Sequence, residues 1–539
     1  SMAVVSISRI QVRRGQKNVG SGLPQLASGE FGWAVDSQEL YIGNGSVAEG
    51  SPFVGNTKLL SEADNLFEFA KTYQYKTGTN MQTGSSVNNP VLRTLQQRLD
   101  DTISIRSFGA TGDGTNQTVA LQRAIDQLYL NASNKGTTQA RVELILEAGE
   151  YTVTSAIYLP PYTTIRGAGA DKTFINDTAG LENVFVTCNE TSTPGVYSTD
   201  ATSTTLNQAR NIKLSGMTIT TVRGPVLNLV SCKDSVFEDL IISGAYTFGD
   251  AIDGESDGIK MSSLSTAVSS NGNLFKNVTI KKFVTAVKTD TDIKDNTWTN
   301  CTFDYLWQGF AFGASTVLGT PGMLTGPINN KIVESKFDNI YKNAISIATG
   351  TDNISKNNKY YSVGNHSGSA LNATTPVIKF VDIRNISDGD WFQRSEDLGY
   401  DETFKNGVVY HPEVQGPTIT DFSTTHKLAI GQSGEYSKLF RLPAETVKAY
   451  EIEYIYKSSY VAASRTGTMT LVVDPTNNTV NFSDDYNYTG APTYSENLKF
   501  TAQNYDEDSD LTVDTVAVMM LNLTSSDNAV MHYKVKSKS

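Results

Sequence analysis

Five octets in the middle of the chain repeat one pattern of apolar and polar positions. IKLSGMTI (212–219), SVFEDLII (235–242), NLFKNVTI (273–280), NTWTNCTF (296–303) and NKIVESKF (330–337) align without a gap. Their third residues are Leu214, Phe237, Phe275, Trp298 and Ile332, at successive offsets of 23, 38, 23 and 34. A coil of about 23 residues with insertions of about 15 and 11 accounts for every offset, which is the signature of a solenoid. Each coil holds a second strand: VLNL (226–229), GIKM (258–261), AVKT (286–289), GFAF (309–312) and AISI (344–347). Strand side chains alternate between faces, so Leu227, Ile259, Val287, Phe310 and Ile345 are expected to stack inward while Lys260 and Lys288 point out. Cys301 shares a column with Met217, Leu240 and Val278 and belongs in the core.

The flanks read differently. Residues 1–57 carry short β patterns broken by glycine and suggest a small N-terminal β module. Residues 58–103 form a helical connector with Leu92, Leu95 and Leu99 at helical spacing. The segment SIRSFGATGDGTNQTVALQRAIDQL opens the solenoid (104–416) with a strand, a Gly-Asp-Gly turn and a helix over 118–128. That helix places Val119, Ala120, Leu121, Ala124, Ile125 and Leu128 on its apolar side. Beyond 416 the coil pattern stops, and alternating strands such as YEIEYIYKSS, GTMTLVVD and VAVMMLNLT indicate a C-terminal β-sandwich (417–539), for trimerisation or carbohydrate binding.

Composition agrees with an extended all-β chain: across 539 residues, 39% are hydrophobic, only 19% charged, and 43 are glycine. The net charge of -12, with no basic stripe, argues against nucleic acid. No apolar run reaches the roughly 20 residues of a spanning helix, and SMAVVSISRIQVRRG lacks a signal-peptide core, so no membrane insertion is expected and the chain reads as made inside a cell. Ser1 before Met2 reads as a cloning scar. Cys188, Cys232 and Cys301 read as buried thiols, and the four histidines show no metal or triad spacing, so neither metal nor cofactor is expected.

Two stretches carry a family resemblance. RIQVRRG, LASGEFGWAVDSQELYIGNGS, with Arg13, Arg14 and Gly15 leading to a Gly-Glu turn and a YIGNG hairpin, resembles the N-terminal module of tailed-phage fibre and spike proteins. Phe108, Gly109, Ala110, Gly112, Asp113, Gly114, Thr118 and Gln122 match the FGAxGDGxxDDTxAIQxAI string of the pectate-lyase-like β-helix superfamily, with Asn116 and Gln117 where acids are common. In that superfamily the segment caps the helix end, so Asp113 is expected to be a turn residue. LEAGEYTV and LPPYTTIRGAG (146–169) continue the likeness. Together they resemble a bacteriophage tailspike. The resemblance implies a homotrimer of right-handed parallel β-helices in the phage virion. Its N-terminal module would join other tail or baseplate proteins, and its helices would bind and usually depolymerise a bacterial capsular polysaccharide or exopolysaccharide.

Candidate chemistry concentrates in GDAIDGESDGIKM (249–261), where Asp250, Asp253, Glu255 and Asp257 fall within the longer insertion. Such a cluster is a solvated turn, a calcium loop without EF-hand spacing, or a catalytic loop. Glycoside hydrolysis needs two carboxyls, about 5 to 5.5 Å apart for retention or roughly 6.5 to 9.5 Å for inversion. SDGIKM also resembles the TDGID string of polygalacturonase-type hydrolases, with Asp257 and Gly258 matching. Lys260 and Lys288, with Asp290 nearby, are either solubilising residues or substrate contacts, and a polysaccharide lyase would use such a lysine as base. Tyr305, Trp307 and Trp391 are candidate sugar platforms. Trp391 and Phe392 are flanked by Asp390, Arg394, Glu396 and Asp397, an arrangement that fits a subsite or plain packing. The expectation is an endo-acting glycoside hydrolase using the acidic loop. A lyase of a uronate-containing glycan and a non-catalytic adhesin are the alternatives, and a colanic-acid-like polymer is the guess for the glycan.

Overall fold

The computed structural model describes residues 12–20, 22–50, 54–61, 95–130, 142–199, 202–251, 256–290, 292–313, 326–364, 376–381, 384–393, 414–423, 425–431, 433–446, 448–458, 463–506, 513–524 and 528–538. The chain divides into two compact units, 1–101 and 102–539. The first holds a four-stranded sheet around Leu26, Ala34 and Tyr41, together with the short helix Leu95–Leu99. Glu39 organises that sheet by accepting from Lys17, Ser37 and Tyr41 and pairing with Lys58.

The second unit begins with a parallel β-helix. Its first strand, Thr102–Ser104, pairs with Glu143–Leu146, and the cap helix Thr118–Ile125 lies close behind. Asn116 Oδ1 accepts from the Thr118 amide and hydroxyl in the turn that leads into that helix. Asp113 Oδ1 closes the preceding turn on the Thr115 amide and hydroxyl. Leu121, Ala124 and Ile125 are buried, but Val119, expected on the apolar side, is 65% exposed. The helix ends at Ile125 in a π-helical turn over Asp126–Leu130 and does not run on to Leu128.

Both inward columns read from the sequence are present in register. Leu214, Phe237, Phe275, Trp298 and Ile332 pair rung to rung in a 17-stranded sheet, here the first sheet. Leu227, Ile259, Val287, Phe310 and Ile345 do the same in a nine-stranded second sheet. Phe237, Phe275 and Trp298 stack at 5.0 Å spacing, and Phe303, Phe337, Tyr360 and Phe392 form a second aromatic stack at 4.7 to 4.9 Å. Cys301 is 2% exposed, and burial pushes the Cys232 and Cys301 thiols up to about 12.

Each coil bends where its backbone enters the left-handed region. One column of such residues runs Gly216, Asp239, Asn277, Asn300, Glu334, Asn357 and Gly389, all with φ between +50° and +69°. Glycine and the short Asx side chains tolerate that conformation best, which explains most of the column. A buried ladder of amides lines another corner. Asn273, Asn296, Asn330 and Asn353 each donate to the next residue's Oδ1 at 2.9 to 3.0 Å, and Asn385 ends the series. Two coils extend the repeat beyond Ile332, at NISKNNKY (353–360) and NISDGDWF (385–392), where Ser355 and Ser387 occupy the apolar column.

The longer insertion is split. Phe237 to Ile259 spans 22 residues where Leu214 to Leu227 spans 13, and Ile259 to Phe275 spans 16 where Leu227 to Phe237 spans 10. Most of the extra chain therefore precedes the strand Asp257–Ser262, as the excursion 244–256.

At the far end, antiparallel sheets of five and three strands enclose Tyr450, Ile452, Leu471, Val518, Met520 and Val535. The strands His426–Gly431 and Ser433–Pro443 belong to this sandwich and were not picked out by sequence pattern. Buried Arg441 ties the two bodies by donating to the carbonyls of Gly416 and Val381.

Candidate functional site

The outward face of the second sheet carries one column of side chains. Tyr158, Val186, Asn228, Lys260, Lys288, Ala311 and Ser346 follow each other rung by rung. Strand spacing of about 4.8 Å sets the rise per rung. Lys260 and Lys288 are half-buried neighbours in this column, as alternation requires. Like charges directly opposite each other are unfavourable, so the pair favours a nearby anion.

Asp257 supplies one. It is the first residue of the strand Asp257–Ser262, only 1% exposed, and its Oδ2 lies 3.8 Å from Lys288 Nζ. Two glycines make the close packing possible. A Cβ on Gly258 would stand 2.6 Å from Ile280 Cγ2 and 2.7 Å from the Ala286 oxygen, and one on Gly224 (φ +104°) would stand 2.6 Å from the Asp257 oxygen. Thr285, the rung partner of Asp257, and Gln308 beyond it are also buried.

The other acidic candidates separate. Asp250 is exposed, and its Oδ2 accepts from the Thr247 amide at 2.9 Å and the Thr247 hydroxyl at 2.5 Å. Those two bonds hold its carboxyl below the ordinary range, which suits an ionised turn-closing group and opposes a role as general acid. Asp253 and Glu255 lie outside the described residues. Asp290 directly follows the strand Thr285–Thr289, five positions beyond Thr285, so it is roughly 16 Å along the sheet from Asp257 and is no catalytic partner for it.

The excursion 244–251 brings aromatics that sequence reading missed. Phe248 packs on Tyr305 with ring centroids 4.1 Å apart, Tyr246 meets Phe248 edge-on at 5.9 Å, and Tyr341 lies 6.3 Å from Phe248. Tyr305 holds φ +54°, an uncommon backbone state for a bulky aromatic residue. Trp307 carries Lys342 Nζ 4.7 Å above its ring, so one of its faces is already occupied. The signal was present in "AYTF", immediately before the acidic stretch.

Trp391 is not brought to this face. It lies in the first sheet on the rung of Lys359 and packs against Tyr361 at 5.1 Å, which favours the packing reading. Asp390, expected at the rim of a subsite, is half-buried and accepts from Ser355, Ser387 and the Asn358 amide. Arg394, Glu396 and Asp397 lie outside the described residues. Among the described residues no group of three or more His, Cys, Asp or Glu side chains could hold a metal ion, and no helix is long and apolar enough to cross a membrane.

The arrangement offers a desolvated carboxylate beside one ammonium and a second ammonium on the next rung, with an aromatic cluster on the segment that precedes Asp257 in the chain. It can bind an anionic, ring-bearing ligand and move a proton at Asp257 or a lysine.

No match is found among curated protein sequences. Among solved structures, the chain is similar to ORF18 of Geobacillus virus E2, at 15% identity over 92% of this chain and 86% of that one, with a TM-score of 0.36. It is similar to tailspike protein 3 of bacteriophage CBA120, at 13% identity over 66% and 57%, with a TM-score of 0.37. It is also similar to gp49 of Acinetobacter baumannii bacteriophage Fri1, a tailspike and capsular polysaccharide depolymerase, at 11% identity over 97% and 98%, with a TM-score of 0.24. These likenesses are loose and bear on no detail of the chemistry. Residues 102–311, which bear the cap helix, Asp257, Lys260, Lys288, Tyr305 and Trp307, match the family model described as rhamnogalacturonase A/epimerase, pectate lyase-like, and that segment is similar to this family.

Proposed function

We propose that the chain is a bacteriophage tailspike that binds an acidic bacterial surface polysaccharide along the outward face of the second sheet and cleaves it internally. The observation that carries this reading is the buried Asp257 carboxylate against Lys288, with Lys260 on the adjoining rung. The pectate-lyase-like match over 102–311 and the N-terminal sequence resemblance support it. In this reading the first unit attaches the spike to other tail or baseplate proteins of the virion, and the active assembly is a homotrimer.

In the hydrolytic form, one carboxyl protonates the leaving oxygen while a second acts as base or nucleophile. Asp257 supplies one of them. The proposed second carboxyl is Asp253 or Glu255. A β-eliminating form is favoured by a specific observation: two lysines stand on adjacent rungs, one of them 3.8 Å from the buried Asp257 carboxylate. There a neutral lysine amine takes the proton beside a uronate carboxylate while the glycosidic oxygen leaves, and a new double bond forms.

Digestion of purified enterobacterial capsules and exopolysaccharides, colanic acid included, tests the proposal with reducing ends and ultraviolet absorbance followed together. Reducing ends without absorbance support hydrolysis, and absorbance supports elimination. Tight binding with neither signal replaces cleavage by adhesion.

A further inference from the structure

The cap helix and the turn carrying Pro194 and Tyr197 border an open cleft of about 690 Å³, lined by Val119, Arg123, Asp126, Gln127 and Tyr158 among others. Tyr158 and Tyr197 stack face to face, 4.2 Å apart and 10° from parallel. Tyr197 donates its hydroxyl to Asp126 Oδ2 at 2.7 Å, and Gln122 Nε2 donates to Asp126 Oδ1 at 2.9 Å. Gln122 also exchanges two bonds with the Tyr158 backbone, which locks the helix to the edge of the second sheet. The carboxyl of Asp126 is half-buried, and that burial raises its pKa.

A cap needed only to close the solenoid would present a polar outer surface. This one leaves Val119 65% exposed next to a tyrosine pair, with Arg123 and Gln127 exposed at the rim. Aromatic faces joined by a few convergent polar groups in a cleft of a few hundred Å³ suit a sugar ring, and a guanidinium suits a carboxylate on that ring. Position supplies the second argument. Tyr158 stands in the same outward column as Lys260, separated by Val186 and Asn228, so the cleft is three rungs, roughly 14 Å, from the candidate centre. A polymer several sugar units long spans that distance.

We propose that this cleft is a remote saccharide subsite, holding an acidic sugar unit of the same polymer that occupies Asp257, Lys260 and Lys288. The inference rests on the proposed function. The remote unit binds without taking part in bond cleavage, so it raises affinity for long chains and leaves the chemical step untouched.

The test uses the full chain and size-fractionated oligosaccharides from partial digestion of the panel polymer that the wild type cleaves, starting with colanic acid. Binding and cleavage are measured for wild type, Arg123→Ala with Gln127→Ala, and Tyr158→Phe as the conservative control. Arg123 and Gln127 are exposed, so the double variant is expected to keep the wild-type melting temperature. The expected result is a roughly tenfold loss of affinity, or rise in KM, for long fragments only, with kcat unchanged and Tyr158→Phe close to wild type. Equal loss on short and long fragments, or no loss, with cleavage intact overturns the subsite and leaves the functional reading standing. A wild-type chain that binds and cleaves nothing in the panel overturns both.

Discussion

Asp390 allows a quantitative test of how the solenoid's buried ladders are built. In the column Ser335, Asn358, Asp390, each residue accepts from the backbone amide of the preceding coil, and Asp390 is the one member that can carry charge. Its Oδ1 accepts from the Asn358 amide at 2.9 Å, and its Oδ2 accepts from Ser355 Oγ at 2.5 Å and Ser387 Oγ at 2.7 Å. Burial outweighs these bonds and pushes its pKa from 3.8 to about 6. The folded state therefore holds the proton more tightly than the unfolded chain does. Its contribution is fully present below about pH 4, declines as pH rises through 6, and is absent above that. A shift of about two pH units corresponds to about 3 kcal/mol. Asp390→Asn keeps the Oδ1 acceptor, places an amide where a serine hydroxyl can accept, and removes the charge. The variant is expected to resist local opening more than wild type at pH 8, by up to about 3 kcal/mol, and to match it near pH 4. Because a chain of several bodies does not unfold in one step, the assay is hydrogen–deuterium exchange of peptides spanning 353–364 and 384–393 across that pH range. Equal protection of both proteins at pH 8, or a less protected variant, would refute the reasoning.

Two further perturbations probe the scaffold and the site. Asn330→Ala removes a side chain that accepts from Asn296 and donates to Asn353 and to the Ile293 carbonyl, so it leaves buried groups unpaired. A cost of about 3 kcal/mol is expected, read as faster exchange in the flanking coils and not in the sandwich. Gly258→Ala introduces the Cβ that Ile280 and the Ala286 carbonyl already exclude, and the cost should be about 2 kcal/mol. Because the displaced backbone carries Asp257, turnover should fall more than binding, with kcat and KM measured separately.

The solenoid was readable because its core columns, from Leu214 to Ile332, are filled by large apolar residues at a recurring offset of 23 broken by two insertions. The reading stopped there because the next two coils place Ser355 and Ser387 in that column, where hydroxyls serving Tyr360 and Asp390 replace packing. The asparagine ladder had a visible signal, since three of the aligned octets begin with Asn273, Asn296 and Asn330, but a hydrophobic pattern does not score a buried amide. The offset of 38 revealed an insertion without showing on which side of the strand Asp257–Ser262 it lies. The outward placing of Lys260 and Lys288 followed from strand alternation. That of Asp257 did not, because it shares the parity of Ile259 and stood out only through the acidic run and the likeness to TDGID. The bond from Thr247 to Asp250 is local, and adjacency in sequence said nothing about which sheet Trp391 joins. Phe248, Tyr305 and Tyr341 come together only when turns of separate coils stack.

The central claim is that cleavage occurs at the Asp257 and Lys288 pair. The most direct measurement is turnover of the responsive panel polymer by folded Asp257→Asn, compared with wild type and with Asp250→Asn, following reducing ends and ultraviolet absorbance in the same reaction. The account predicts that Asp257→Asn loses at least about a hundredfold in kcat, the scale of one lost acid–base group, while Asp250→Asn stays within a few-fold of wild type. Full activity in Asp257→Asn would contradict it.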